Sequence, residues 1–186
     1  MKFNWPNTLT WIRIVAIPLI VVVFYLPVPW ARPAAGLLFA LAGVTDWLDG
    51  YLARKLGQTS SFGAFLDPVA DKLVVATALV LLVQADPEPY LAIVSAIIIG
   101  REITVSALRE WMSQVGESAH VAVSFIAKCK TTVQIAGIAL MLYEQPLLGL
   151  PTYTLGMVLL LLAAAITVWS MLGYLRAAWP VMLRRG

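Results

Sequence analysis

Residues 34–84 read AAGLLFALAGVTDWLDGYLARKLGQTSSFGAFLDPVADKLVVATALVLLVQ, and the architecture of the chain follows from how this stretch is read. Two apolar runs flank a polar turn, Gly57 to Ser61. Each run is long enough to cross a hydrocarbon layer about 30 Å thick, which takes about 20 helical residues. Yet Asp46, Asp49, Asp67 and Asp71 lie within these runs, close to the turn. An ionised aspartate costs roughly 2.5–3.5 kcal/mol at the centre of a spanning helix, and less nearer the interface. Four such costs require compensation, so chance placement explains them poorly.

The rest of the chain repeats the apolar pattern. Of 186 residues, 61% are hydrophobic and only 12% charged, and mean hydropathy is +0.86. Too few polar residues remain to clothe a water-soluble core. The breaks define spans at 8–26, 33–55, 61–84, 89–111, 121–143 and 152–176, all helical. Pro27, Pro29 and Pro33 separate the first two, Asp86 to Pro89 close the third, Ser113 to Ser118 the fourth, and Glu144 to Pro151 divide the last two. The expectation is an all-α integral membrane bundle of six helices, with residues 1–186 as one domain and no internal repeat. Arg13 and Pro18 interrupt the first run and no small-x-small cleavage site follows, so it reads as a retained helix rather than a signal peptide. Cys129 stands alone and reads as an inert thiol, and His120 as a loop residue.

Lys and Arg set the orientation. Lys2, Arg13, Arg54, Lys55, Arg109, Lys128, Lys130, Arg176, Arg184 and Arg185 fall on the side shared by both termini; the other side has Arg32 with Asp86, Glu88 and Glu144. The positive-inside rule therefore puts both termini in the cytoplasm. Lys55, Arg184 and Arg185 need no role beyond topology and contact with lipid headgroups.

Spacing gives the aspartates a chemistry. Asp46 and Asp49 are three apart and Asp67 and Asp71 four apart, so each pair shares a helix face. An antiparallel hairpin brings the two pairs to a similar depth at the cytoplasmic mouth. Converging carboxylates repel unless protonated or bridged by cations. All-oxygen donors favour hard ions, Mg²⁺ or Mn²⁺, and four aspartates can hold two. Gly50, Ala53 and Gly63 allow close approach, of a neighbouring helix or of a ligand. Arg54 lies where it could reach a metal-bound phosphate, while Lys72 reads as a structural ion-pair partner of its neighbour Asp71. Arg13, Arg101, Arg109, Lys128 and Lys130 cluster at the same level. Carboxylate-bound metal beside such cations suggests two anionic substrates, with internal ion pairs such as Arg101 with Glu102 as the plainer alternative.

These residues also carry a resemblance. Asp46-x2-Asp49-Gly50-x2-Ala53-Arg54-x8-Gly63-x3-Asp67-x3-Asp71 resembles the signature of the CDP-alcohol phosphotransferases without departure. The similarity extends through Pro6-Asn7-x-Leu9-Thr10-x2-Arg13, Arg101-Glu102-Ile103, Leu108-Arg109-Glu110 and Lys128-x-Lys130-Thr131. It implies transfer of a phosphatidyl group from CDP-diacylglycerol to sn-glycerol 3-phosphate with release of CMP, in phospholipid biosynthesis at a bacterial inner membrane. It further implies that the four aspartates hold two metal ions and that Asp71 is also the general base. Asn7, Thr10, Gly50, Arg54, the Thr59–Ser60 turn and Gly63 would serve the CDP-diacylglycerol site. Arg101, Arg109, Lys128 and Lys130 would bind glycerol phosphate. Members of this kind are usually homodimers, and no nucleic-acid partner is expected.

Basicity alone does not separate glycerol phosphate from inositol phosphate as acceptor, although serine would need less positive charge. A cation transporter also places acids in the membrane, but it predicts acids spread through the depth and often an internal repeat. A prenyl transferase would use aspartates and Mg²⁺ on a diphosphate, and would release pyrophosphate instead of CMP.

Overall fold

The computed structural model describes residues 5–56, 61–116 and 125–185, with side chains described over 10–45, 66–116 and 130–183. Six helices account for nearly all of it: α1 Trp5–Phe24, α2 Ala31–Leu56, α3 Ser61–Ala85, α4 Pro89–Gln114, α5 Phe125–Tyr143 and α6 Thr152–Arg185. Every expected span is a helix. No strand occurs among the described residues, only a single bridge between Leu147 and Leu150.

Local chemistry explains the boundaries. Pro89 starts α4, where its missing N–H costs nothing. That helix stops at Val115, where Gly116 takes φ +80° and its N–H donates to the Ser113 carbonyl at 3.2 Å. Two hydroxyls within apolar runs are satisfied by their own helix: Thr45 Oγ1 donates to Ala42 O and Thr104 Oγ1 to Gly100 O, both at 2.8 Å.

Around the bundle the helices neighbour one another in the order α1, α2, α5, α6, α4, α3 and back to α1. Across this ring α3 also touches α5 and α2. The main core joins Phe39, Leu79, Leu82, Leu91, Ile98 and Ile138, all nearly inaccessible. Between α5 and α6 the backbones meet at glycines. A Cβ on Gly156 would lie 2.6 Å from Gly137 O, and one on Gly137 would lie 2.9 Å from Gly156 O. Small residues of this kind let helices approach closely where lipid offers no hydrophobic drive to association.

Outward positions are apolar as well. Trp11, Val15 and Val22 on α1, Leu37 and Leu41 on α2, Val80 on α3, Ile93 and Ile103 on α4, and Leu162 and Trp169 on α6 are all exposed. Among the described residues, α4 and the Thr152–Leu183 portion of α6 are long and apolar enough to cross a membrane.

One helix runs past its expected end. The sequence places the stop of α6 at Arg176, yet the helix continues to Arg185 through Pro180. Its final turns have their own packing: Tyr174, Ala178 and Val181 bury against Val105, Leu108 and Met112 of α4. Since α4 and α6 run parallel, α6 must be this long to cover the second half of α4. Tertiary burial outweighs the charge and the proline that suggest an earlier end.

At one end of the bundle the loops are tied together. Arg32 pairs with Glu144 at 3.5 Å and lies 3.8 Å over the Phe24 ring. Gln145 Nε2 donates to Pro29 O at 2.9 Å, and Tyr153 donates to Asp86. The acidic residues assigned to this end from sequence therefore do lie together.

Candidate active site

The opposite half of the bundle holds the polar chemistry. Asp46 lies ten residues before the end of α2 and Asp71 ten residues after the start of α3. At 1.5 Å per residue both sit about 15 Å from the turn. Asp49 and Asp67 are seven and six residues from it, about 10 Å. The helix registers thus agree with the hairpin expectation. The side chains of Asp46 and Asp49 lie outside the described residues, as do those of Asn7, Gly50, Arg54, Gly63 and Lys128, while Ser60 lies outside them entirely.

Asp67 and Asp71 are described, and α1 engages both. Thr10 Oγ1 donates to Asp67 Oδ1, and Arg13 donates through one terminal nitrogen to Asp71 Oδ1. Thr10 and Arg13 are three apart on α1, matching the one-turn spacing of the aspartates. Both are only 1% exposed, whereas the Asp71 side chain retains 38% exposure. Pro68 follows Asp67 and removes the helix hydrogen bond that an N–H at 68 would make to the carbonyl of residue 64, a loss tolerated where neighbouring helices support the backbone. The ion-pair partner of Asp71 is therefore Arg13, not Lys72. Among the described residues Lys72 has no ion pair; it lines an apolar groove of about 140 Å³ between α3 and α4, with Ile99 and Glu102.

Two carboxylates one turn apart, with oxygen donors only, suit a hard divalent ion. Asp46 and Asp49 would complete the set. Among the described residues alone, no three metal-ligating side chains gather.

A second cluster spans α4, α5 and α6. Lys130 Nζ meets Glu102 Oε1 at 2.6 Å, and Arg101 NH1 meets the same oxygen at 3.2 Å. Arg101 NH2 also donates to Ser170 Oγ at 2.9 Å, and Arg109 NH2 to Tyr174 Oη at 2.7 Å. The Tyr174 ring lies under both guanidiniums, with centroid distances of 5.8 Å to Arg101 and 5.0 Å to Arg109. Arg101 and Lys130 are buried, at 7% and 1% exposure. Among the described residues Arg101 and Lys130 share the Glu102 carboxylate, and Arg109 beside them meets no acid. Arg101 Nε and Arg109 Nε are buried and have no hydrogen-bond partner among the described residues. The plainer reading of Arg101, an ion pair with Glu102, is thus present in part, but among the described residues this one carboxylate does not balance Arg101, Lys130 and the neighbouring Arg109.

Of the cations expected to cluster, the structure brings Arg101, Arg109 and Lys130 together, while Arg13 pairs with Asp71. Sequence reasoning does not find the bridge through Glu102 to Lys130, nor Ser170 and Tyr174. A signal existed for the α1 contacts, since a buried Arg13 one turn from Thr10 needs an anion and the aspartates are the nearest supply.

A transmembrane-type helical bundle with paired aspartates at a hairpin and a cationic cluster beside them defines a class. The chain belongs to the CDP-alcohol phosphatidyltransferase family, whose model matches residues 3–169. Among its relatives is the CDP-diacylglycerol–glycerol-3-phosphate 3-phosphatidyltransferase of Escherichia coli (strain K12), 48% identical over 178 residues, covering 96% of each chain. The Pseudomonas fluorescens protein of the same name is 51% identical over 178 residues, covering 95% of this chain and 91% of its own.

Proposed function

We propose that this protein transfers the phosphatidyl group of CDP-diacylglycerol to sn-glycerol 3-phosphate, giving phosphatidylglycerophosphate and CMP. The observation that carries this reading is the charge imbalance between α4, α5 and α6, where the buried Arg101 and Lys130 share Glu102 and Arg109 meets no acid among the described residues. A phosphorylated acceptor supplies the missing negative charge, through the charge-assisted hydrogen bonds that guanidinium groups make with phosphate. A serine acceptor does not. The names of relatives matching nearly the whole chain support the same donor and acceptor.

Each described residue then has a duty. Arg13 fixes Asp71 through Oδ1, and Thr10 holds Asp67. Asp46, Asp49, Asp67 and Asp71 would hold two divalent ions, Mg²⁺ or Mn²⁺, which when bound neutralise charge on the diphosphate and the departing CMP. Asp71 accepts the proton of the acceptor hydroxyl as its oxygen bonds to the phosphatidyl phosphorus and the bond to CMP breaks in line. Arg101, Arg109, Lys128 and Lys130 orient the acceptor through its phosphate. Asn7, Gly50, Arg54, Ser60 and Gly63 serve the nucleotide.

The exposed apolar flanks support placement of all six helices in the bacterial cytoplasmic membrane. Both termini and the site face the cytoplasm in this reading, and the protein works as a homodimer. A site at that interface leaves acyl tails in lipid and the nucleotide in water.

One assay tests the reading. Purified protein is incubated with CDP-diacylglycerol and a panel of alcohols, and CMP is measured with and without divalent metal. Metal-dependent CMP with glycerol 3-phosphate is expected. No metal-dependent CMP from any acceptor overturns the reaction, and CMP only with inositol phosphate or serine overturns the acceptor.

A further inference from the structure

The family model ends at residue 169, yet α6 continues and brings two further side chains to the cationic cluster. Ser170 accepts from Arg101, and Tyr174 accepts from Arg109 while its ring underlies both arginines. Tyr174 is 8% exposed and packs in a buried cluster with Val105, Leu108 and Met112. Of the described acids only Glu102 meets either guanidinium, and it meets Arg101 but not Arg109. Arg109 is fixed by Tyr174 instead.

From this arrangement we propose that Tyr174 is a positioning residue for the acceptor: it sets the two guanidiniums of Arg101 and Arg109 as a preformed pair that receives the acceptor phosphate. The inference rests on the reading of those arginines as acceptor ligands. A neutral aromatic suits this duty better than an acid. A carboxylate would compete with the incoming phosphate for the same N–H donors. The ring attracts the cations and the hydroxyl accepts one hydrogen bond, and the net positive charge remains available. Preorganisation also spares the acceptor the cost of ordering two flexible side chains. The specificity of the pocket for a phosphorylated alcohol is therefore supplied in part by a helix segment beyond the region matched to the family.

The test uses the full chain with CDP-diacylglycerol, reading CMP release while each substrate is varied in turn. Tyr174→Phe keeps the ring and loses the hydroxyl. It is expected to raise the KM for glycerol 3-phosphate about tenfold, the lower bound for losing a hydrogen bond to a charged group. The KM for CDP-diacylglycerol and the kcat at saturating acceptor stay within about twofold, a margin below the effect of one such bond. Tyr174→Leu removes the ring as well, and the rise reaches about thirtyfold. An unchanged acceptor KM in Tyr174→Phe overturns the proposal, as does an equal rise in both KM values, which marks a merely structural role. Arg109→Ala separates the two levels of inference. If it leaves the acceptor KM unchanged, the acceptor-site reading itself fails. If it raises that KM while Tyr174→Phe does not, only the role of Tyr174 fails.

Discussion

Arg13 on α1 is ion-paired with Asp71 on α3, a guanidinium almost fully buried against a carboxylate that keeps a path to solvent. The pair joins two helices 58 residues apart in sequence and holds the one acid assigned to proton transfer. Arg13→Ala leaves Asp71 without this anchor. Breaking a buried pair from one side costs about 3–5 kcal/mol, and the exposure of Asp71 puts this case near the lower bound. Thermal unfolding in detergent should show the loss, and CMP release should fall. Wild-type stability in that variant would contradict the role of the pair.

Asp71→Asn keeps the shape and a hydrogen-bonding oxygen for Arg13, but removes the base and one metal donor. Turnover is expected to drop by at least about 10²-fold, with helicity by circular dichroism unchanged. Normal CMP release by the purified variant would remove Asp71 from the proton-transfer step.

Chelation should abolish activity, since Arg13 offsets the charge of Asp71 alone and four converging carboxylates need further cations. Adding back Mg²⁺ or Mn²⁺ should restore it, because both accept all-oxygen sites. Full CMP release after exhaustive EDTA treatment is the contrary result.

Glu102 bridges Arg101 and Lys130, so Glu102→Ala leaves Lys130 buried with its charge uncompensated. A loss of about 3 kcal/mol in stability is expected. Glycerol 3-phosphate should raise the melting temperature of this variant more than that of the wild type, as the anion takes over the balancing charge. Equal shifts in the two proteins would argue against a shared phosphate and carboxylate environment.

Gly156→Ala places a methyl group 2.6 Å from Gly137 O and 2.9 Å from Met141 N, both backbone atoms that cannot swing aside. Destabilisation of about 1–3 kcal/mol is expected from overpacking. An unaltered unfolding midpoint would mean that α5 and α6 have room to part.

How far the sequence reveals these features depends on the range of each signal. Pro27, Pro29, Pro89 and the Gly57 turn are local punctuation, and they place helix ends to within a few residues of those observed. The end of α6 escapes such reading, because its cause lies on α4, in Val105, Leu108 and Met112. Aspartate spacing predicts the shared faces, because register within one helix is local. The partner of Asp71 is a different matter. Adjacency makes Lys72 look suitable, but residues one apart on a helix point about 100° away from each other. Arg13 reaches Asp71 only because α1 packs against α3. Tyr174 is harder still, since an aromatic in an apolar run looks like ordinary filling until its hydroxyl is seen beside Arg109.

The placement of Tyr174 near the far end of α6 also dictates an order of assembly. The aspartates and their α1 partners are all synthesised by residue 71, so that half of the site can form while the chain is still emerging. The cluster that receives the acceptor is not complete until Ser170 and Tyr174 follow, about a hundred residues later. A partly made chain can therefore gather its acids without yet holding a second substrate, and the enzyme comes into being only as its last helix closes the ring.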